Sequence, residues 1–289
     1  MTPTKSKCIP LLLAVAIISA MDGQSERAAG AAFEAHATYL GFDRNDYPGD
    51  QYIPLLRKTF RFTGYWLNVP PGATTNTWVG KRAMLQAAGV GFAVLFNGRL
   101  YQEIRSSRSA EELGKKDAAA AITACMREGF HRGTVIFLDQ EEGGRMLPEQ
   151  RAYLHAWVDG VNNGGYHAGV YCSAIPALEA GGTRVITAID IKQNAGSRRI
   201  VYWVSNDSCL PSPGCVFPRN PPLPITSGVP FAAIWQFAQS PRRKDFTASC
   251  AATYNADGNC YPPTLAAEHL HVDVNSSGAP DPSGGRTVR

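Results

Sequence analysis

Apolar residues gather in short runs that recur along the chain from residue 37 onward. The runs are 37–42 (ATYLGF), 62–67 (FTGYWL), 91–96 (GFAVLF), 134–138 (TVIFL), 167–171 (HAGVY), 200–204 (IVYWV), 231–236 (FAAIWQ) and 270–274 (LHVDV). Most are continuously apolar rather than alternating, the pattern of parallel strands buried on both faces. Between them the sequence predicts helices over 78–88, 110–127 and 148–161. Ser109 with Glu112 has the form of a capping box, Pro148 suits a first helical turn, and Gly89, Gly129 and Gly164 follow the helices as C-terminal glycines should. Run starts lie about 25 to 43 residues apart, the length of a βα unit.

Eight such units predict an α/β fold, a single (β/α)8 barrel over residues 37–275 with extended βα loops. A doubly wound open sheet is the structural rival, but its phosphate fingerprint is missing. Gly89-Val90-Gly91 precedes a strand instead of following one, and position 94 is Val. The end of the chain, 276–289 (SSGAPDPSGGRTVR), has no apolar anchors and is expected to be disordered.

The first twenty residues stand apart from this rhythm. Lys5 and Lys7 precede an apolar stretch from Ile9 to Ile18, and Ser19-Ala20 closes it before a polar segment. That is the layout of a secretory signal peptide over 1–20, too short to span a bilayer. Secretion to an extracellular or periplasmic space is expected, with no membrane span in the mature chain. Losing two lysines and no acid lowers the formal charge of +4 to +2. A balance so near neutral argues against a nucleic-acid partner. Six of the seven cysteines remain after cleavage: Cys125, Cys172, Cys209, Cys215, Cys250 and Cys260. An even number in an exported chain predicts three disulfides, with proximity pairing 209 to 215 and 250 to 260 and leaving 125 for 172.

Carboxylates stand at the ends of three strands, where a barrel of this kind keeps its chemistry. Asp43 follows the first strand, Asp139 and Glu141 follow the fourth, and Asp273 lies near the end of the last. Alternation puts Asp139 and Glu141 on one face. Paired acids are what glycosidic cleavage requires, one to protonate the leaving oxygen and one to stabilise the cationic centre. Trp66, Tyr171, Trp203, Trp235, Gln236 and Asn275 lie at or near strand ends and could bind the sugar, rings against C–H faces and amides against hydroxyls. His269, His271 and Asp273 share a strand face but are spread along it, so neither a metal nor a cofactor is expected.

The ordered set Gly41-Phe42-Asp43, Leu138-Asp139-Gln140-Glu141, Val170-Tyr171, Tyr202-Trp203-Val204-Ser205, Ile234-Trp235-Gln236 and Val272-Asp273-Val274-Asn275 resembles the family 25 glycoside hydrolases, the barrel muramidases. More closely it resembles a related group of secreted glycoside-hydrolase-like barrel domains. The resemblance implies that Glu141 is the general acid, that Asp139 orients or stabilises a reacting N-acetyl group, and that Asp43 and Asp273 complete the pocket. Arg44-Asn45-Asp46-Tyr47 replaces the family's usual serine-containing segment, and the stretch from Gly64 to Trp78 is likewise unlike it. The function implied is a monomeric, cofactor-free retaining glycosidase. Its partner would be peptidoglycan or another N-acetylhexosamine-containing polysaccharide. The alternative is a catalytically inactive carbohydrate-binding barrel.

Overall fold

A computed structural model describes residues 37–104, 106–207, 220–238, 270 and 272–286. The expected signal peptide, His269, His271 and Cys209, Cys215, Cys250 and Cys260 lie outside the described residues. Eight strands close into a barrel: β1 (Tyr39–Asp43), β2 (Phe62–Trp66), β3 (Gly91–Asn97), β4 (Val135–Asp139), β5 (His167–Ser173), β8 (Val201–Ser205), β9 (Ala232–Ala238) and β10 (Asp273–Ser277). The short pair β6 (Ala177–Leu178) and β7 (Arg184–Val185) forms a separate hairpin after β5. Around the barrel the order is β1-β10-β9-β8-β5-β4-β3-β2.

The apolar runs become strands because both of their faces are covered. All five residues of β2 are buried. Inside the barrel, the Phe62 and Phe137 rings occupy the space that a side chain at Gly41 or Gly169 would need. The Phe137 ring meets Trp203 edge to face at 5.6 Å, so large side chains fill the lower barrel and leave it open only at the mouth. Outside lie α1 (Ile53–Thr59), α2 (Arg82–Ala87), α3 (Tyr101–Ile104), α4 (Ser107–Glu128), α5 (Pro148–Asn163) and α6 (Thr187–Asn194). None of the described helices is long and apolar enough to cross a membrane. Helix α4 starts earlier than the capping pattern suggests: the Ser109 hydroxyl lies 2.8 Å from that of Ser106 instead of capping a helix. Gly129 ends α4 in the left-handed conformation (φ 81°), whereas after α5 it is Gly165 (φ 83°), not Gly164, that turns left-handed.

The last strand departs from the all-parallel expectation. β10 runs antiparallel to both neighbours, with Asp273 opposite Asp43 and Ser277 opposite Tyr39. It therefore starts at the mouth and ends at the base. The segment expected to be disordered continues from there and closes the base. Ser276 and Ser277 belong to β10, and Ser283 and Gly285 are buried. Asp281 Oδ1 accepts from Phe92 N (2.7 Å), Ser283 Oγ from Val94 N (2.8 Å) and Ser283 O from Val135 N (2.8 Å), while Ser283 N donates to Phe92 O (2.8 Å). Gly91 gives the chain its passage, since a Cβ there would overlap Pro280. Arg82 donates to Gly285 O (2.8 Å) while its guanidinium lies 4.8 Å from the Phe130 ring centre. Polar backbone pairing anchors this tail, which is why an apolar count misses it.

The expected Cys125–Cys172 disulfide is absent; both are free, buried thiols. Cys125 lies near the C-terminal end of α4, at the barrel base, and Cys172 near the C-terminal end of β5, at the mouth. The two thus stand toward opposite ends of the barrel, and a disulfide bridges only about 7 Å between Cα atoms.

Candidate active site

The strands deliver their last inward side chains to a cavity of about 560 Å³ at the mouth. All four expected acids line it, with Trp66, Tyr171, Trp203 and Gln236. Asp273 arrives because β10 is reversed: it begins its strand at the mouth, where the sequence reading placed it near a strand end. Trp235 does not take part. It faces away from Gln236 across the strand, packs against Phe237 at 5.9 Å and donates its indole N–H to Asn206 O (2.7 Å). Asn275 is fully buried behind the cavity wall and touches Asp43 instead.

The residues that sequence reasoning missed are Asn45, Pro71, Gly72 and Leu100 of the rim and Leu95 of the wall. Pro71 and Gly72 belong to the stretch that sets this sequence apart from the muramidases. That loop is pinned by side-chain amides: Asn45 donates to Pro71 O (2.7 Å), Asn76 to Trp66 O (2.8 Å), and Asn68 accepts from Asn97 N (2.7 Å). Buried Trp78 donates to Asn45 O (2.9 Å) and anchors it from below. The recurrence of Asn beside strand ends was the available signal, since Asn pairs readily with loop backbone.

Around Asp43 the geometry is closely specified. Gly64 leaves room for its side chain, as a Cβ at 64 would stand 2.6 Å from Asp43 Cβ. Gln236 Nε2 donates to Asp43 Oδ1 (2.9 Å) and Oδ2 (3.1 Å), and Asn275 Nδ2 donates to Oδ1 (2.6 Å). Tyr171 OH donates to Gln236 Oε1 (2.7 Å), and Trp203 Nε1 to Asn275 Oδ1 (2.9 Å). Burial pushes the Asp43 carboxyl up to about 6, with the two amides pulling it down and the Glu141 charge adding a smaller upward push.

Asp139 has a different environment. It is 4% exposed, its Oδ1 has no hydrogen-bond partner, and its carboxyl is hydrogen-bonded to Glu141. Burial first, then the charges of Glu141 and Asp43, hold it well above the usual carboxylate range. Glu141, two residues on, is exposed to the cavity. A buried acid and an exposed one thus share hydrogen bonding at the mouth, where burial and the neighbouring charges favour the protonated form of Asp139. The neighbouring acid Glu142 is structural: it accepts from Tyr101 N (2.7 Å) and Gln150 Nε2 (2.7 Å). Among the described residues no group of three or more His, Cys, Asp or Glu side chains is placed to hold a metal ion.

A cleft of acids and aromatic rings thus opens at the mouth of a mostly parallel barrel. Residues 70–207 match the Rv2525c-like, glycoside hydrolase-like domain. The matched stretch holds Asp139, Glu141, Tyr171 and Trp203, whereas Asp43, Gln236, Asp273 and Asn275 lie outside it. The resemblance read from the strand ends thus leads to a glycoside hydrolase-like domain. No curated protein matches the chain. Similar solved structures include an uncharacterized B. stearothermophilus protein (16% identity, 82% of this chain and 94% of that one, TM-score 0.48). The Tat-secreted protein Rv2525c of Mycobacterium tuberculosis is 13% identical over 87% of this chain and 99% of that one, with a TM-score of 0.48. The spore cortex lytic enzyme SleM of Clostridium perfringens is 13% identical over 84% of this chain and 68% of that one, with a TM-score of 0.47.

Proposed function

We propose that this protein is a secreted glycoside hydrolase that cleaves peptidoglycan or another N-acetylhexosamine-containing polysaccharide. The observation that carries the reading is the Asp139–Glu141 pair, a buried carboxyl hydrogen-bonded to an exposed one in a cleft lined by Trp203 and Tyr171. The N-terminal signal pattern supports export.

The chemistry follows from the two environments. An acetamido N–H entering the cleft would find the partnerless Asp139 Oδ1, and that hydrogen bond favours charged Asp139. The shared proton then passes to Glu141, which gives it to the glycosidic oxygen as the C1–O bond breaks. The acetamido carbonyl oxygen closes on C1 and takes up the positive charge. Water opens that ring, losing a proton to Glu141, and the sugar leaves with its C1 configuration retained. Asp43 and Asp273 add negative charge around the cationic centre.

Incubating the purified mature protein with peptidoglycans, chitin oligomers and glucans, and measuring new reducing ends together with product masses, tests the reading. Cleavage of N-acetylhexosamine polymers with glucans untouched is the expected result. Sugar binding without new ends from any polymer would instead assign the protein as a carbohydrate-binding barrel.

A further inference from the structure

Asp43 and Asp139 are both nearly closed to solvent, at 7% and 4% exposure, yet they are treated differently by their neighbours. Burial alone does not sort them; hydrogen bonds do. Asp43 receives three amide N–H contacts, while Asp139 Oδ1 receives none. An amide side chain can present either its NH₂ or its oxygen, and the group at its far end decides which. The Trp203 indole can only donate, so Asn275 must turn its oxygen to Trp203 and its NH₂ to Asp43. Ser205 hydrogen-bonds the Tyr171 phenol, which directs the phenol's own proton to Gln236 Oε1 and the Gln236 NH₂ to Asp43.

We propose that Gln236 and Asn275, each aimed by a ring donor, are positioning residues that keep Asp43 the charged acid of the cleft and leave the proton on the Asp139–Glu141 pair. Both residues were expected to bind sugar; their NH₂ groups are instead committed to a carboxylate. The other charged or titratable groups around Asp43 are its ladder partner Asp273, Arg44 beside it, and Asp139, Glu141 and Tyr171 across the cavity. The catalytic meaning of the clamp rests on the glycosidase reading, but its measurement does not.

Titrating ¹³C-carboxyl-labelled aspartates by NMR in the full-length mature protein reads it directly. In Asn275→Leu the Asp43 midpoint should rise by about one pH unit, the size of one hydrogen bond to a charged group. Asp139 should move the opposite way, because a neutral Asp43 no longer repels its charge. Tyr171→Phe, which removes one donor and keeps the ring, and Trp203→Phe, which removes one donor and leaves a smaller ring, should give smaller shifts of the same signs. They carry the test if Asn275→Leu does not fold. Trp157→Phe is the control: this indole is fully buried and its N–H has no partner, so neither aspartate should move. Asp43 midpoints unchanged in folded Trp203→Phe and Tyr171→Phe would overturn the proposal. Opposite shifts of the two aspartates in a protein that cleaves no polysaccharide would uphold the clamp while removing the glycosidase reading.

Discussion

Acidification should stabilise this fold through Asp43, and replacing Asp43 with Asn should remove that dependence. The Asp43 carboxyl is raised from 3.8 to about 6 by burial, against the pull of its amide donors. Between those values the folded state binds more proton than the unfolded chain, so stability falls as pH rises through the window and is lowest above it. A rise of about two pH units corresponds to about 3 kcal/mol, a large share of the stability of an ordinary domain. In Asp43→Asn the new NH₂ would face a donor, either Gln236 Nε2, now 3.1 Å from Oδ2, or the amides on Oδ1. That cost is the same at every pH, so the slope rather than the absolute stability reports the Asp43 carboxyl, together with the easier ionisation of Asp139 once Asp43 no longer repels it. Urea unfolding of both proteins at pH 4, 5, 6 and 7 gives the comparison. Wild type should lose about 2 kcal/mol or more relative to the variant between pH 4 and pH 7. Parallel stability curves would refute the reasoning.

Three further perturbations reach other parts of the account. Ending the chain after Ser277 removes the tail and leaves the N–H groups of Phe92, Val94 and Val135 without their partners. Losing several kcal/mol in this way should lower the melting temperature by on the order of 10 °C by calorimetry, and an unchanged melting point would show that the tail does not close the base. Burial pushes the Cys125 and Cys172 thiols up, so neither should react in the native protein. After denaturation without reductant at least two thiols should titrate, and finding fewer would mean that one of these cysteines is bonded. Gly64→Ala should push Asp43 aside and lower any polysaccharide cleavage roughly 10-fold or more while the protein still folds, since small misplacements at a site are costly. Full activity in that variant would remove Asp43 from the site.

Particular residues show what the sequence could reveal. Asp43, Asp139 and Glu141 were legible because a buried parallel strand reads as an unbroken apolar run, and an acid directly after it has to sit at the mouth. Asp273 was placed at the mouth, but with the wrong strand direction, because the pattern of a strand is the same read either way. Alternation already put Trp235 and Gln236 on opposite faces, so only one could reach the cavity; being aromatic was a weaker guide than position. Asn275 shows the opposite case: its role depends on the indole of Trp203, a partner 72 residues away that no local pattern connects to it. The tail escaped notice because Asp281 and Ser283 hold it with polar groups, and the Cys125–Cys172 pairing failed because two cysteines left over from other pairs need not lie near each other in the fold.

The central claim is that Glu141 delivers a proton held by the Asp139–Glu141 pair, and the most direct measurement compares wild type with Glu141→Gln on an N-acetylhexosamine polymer across pH. Gln keeps the shape and the hydrogen-bonding capacity at the mouth while removing the proton to be donated. Reducing-end release should fall by on the order of 10² to 10⁴-fold in the variant with polymer binding retained, and wild-type activity should decline as pH rises and the pair loses its proton. Undiminished turnover by Glu141→Gln, or a wild-type rate that keeps climbing into alkaline solution, would contradict it.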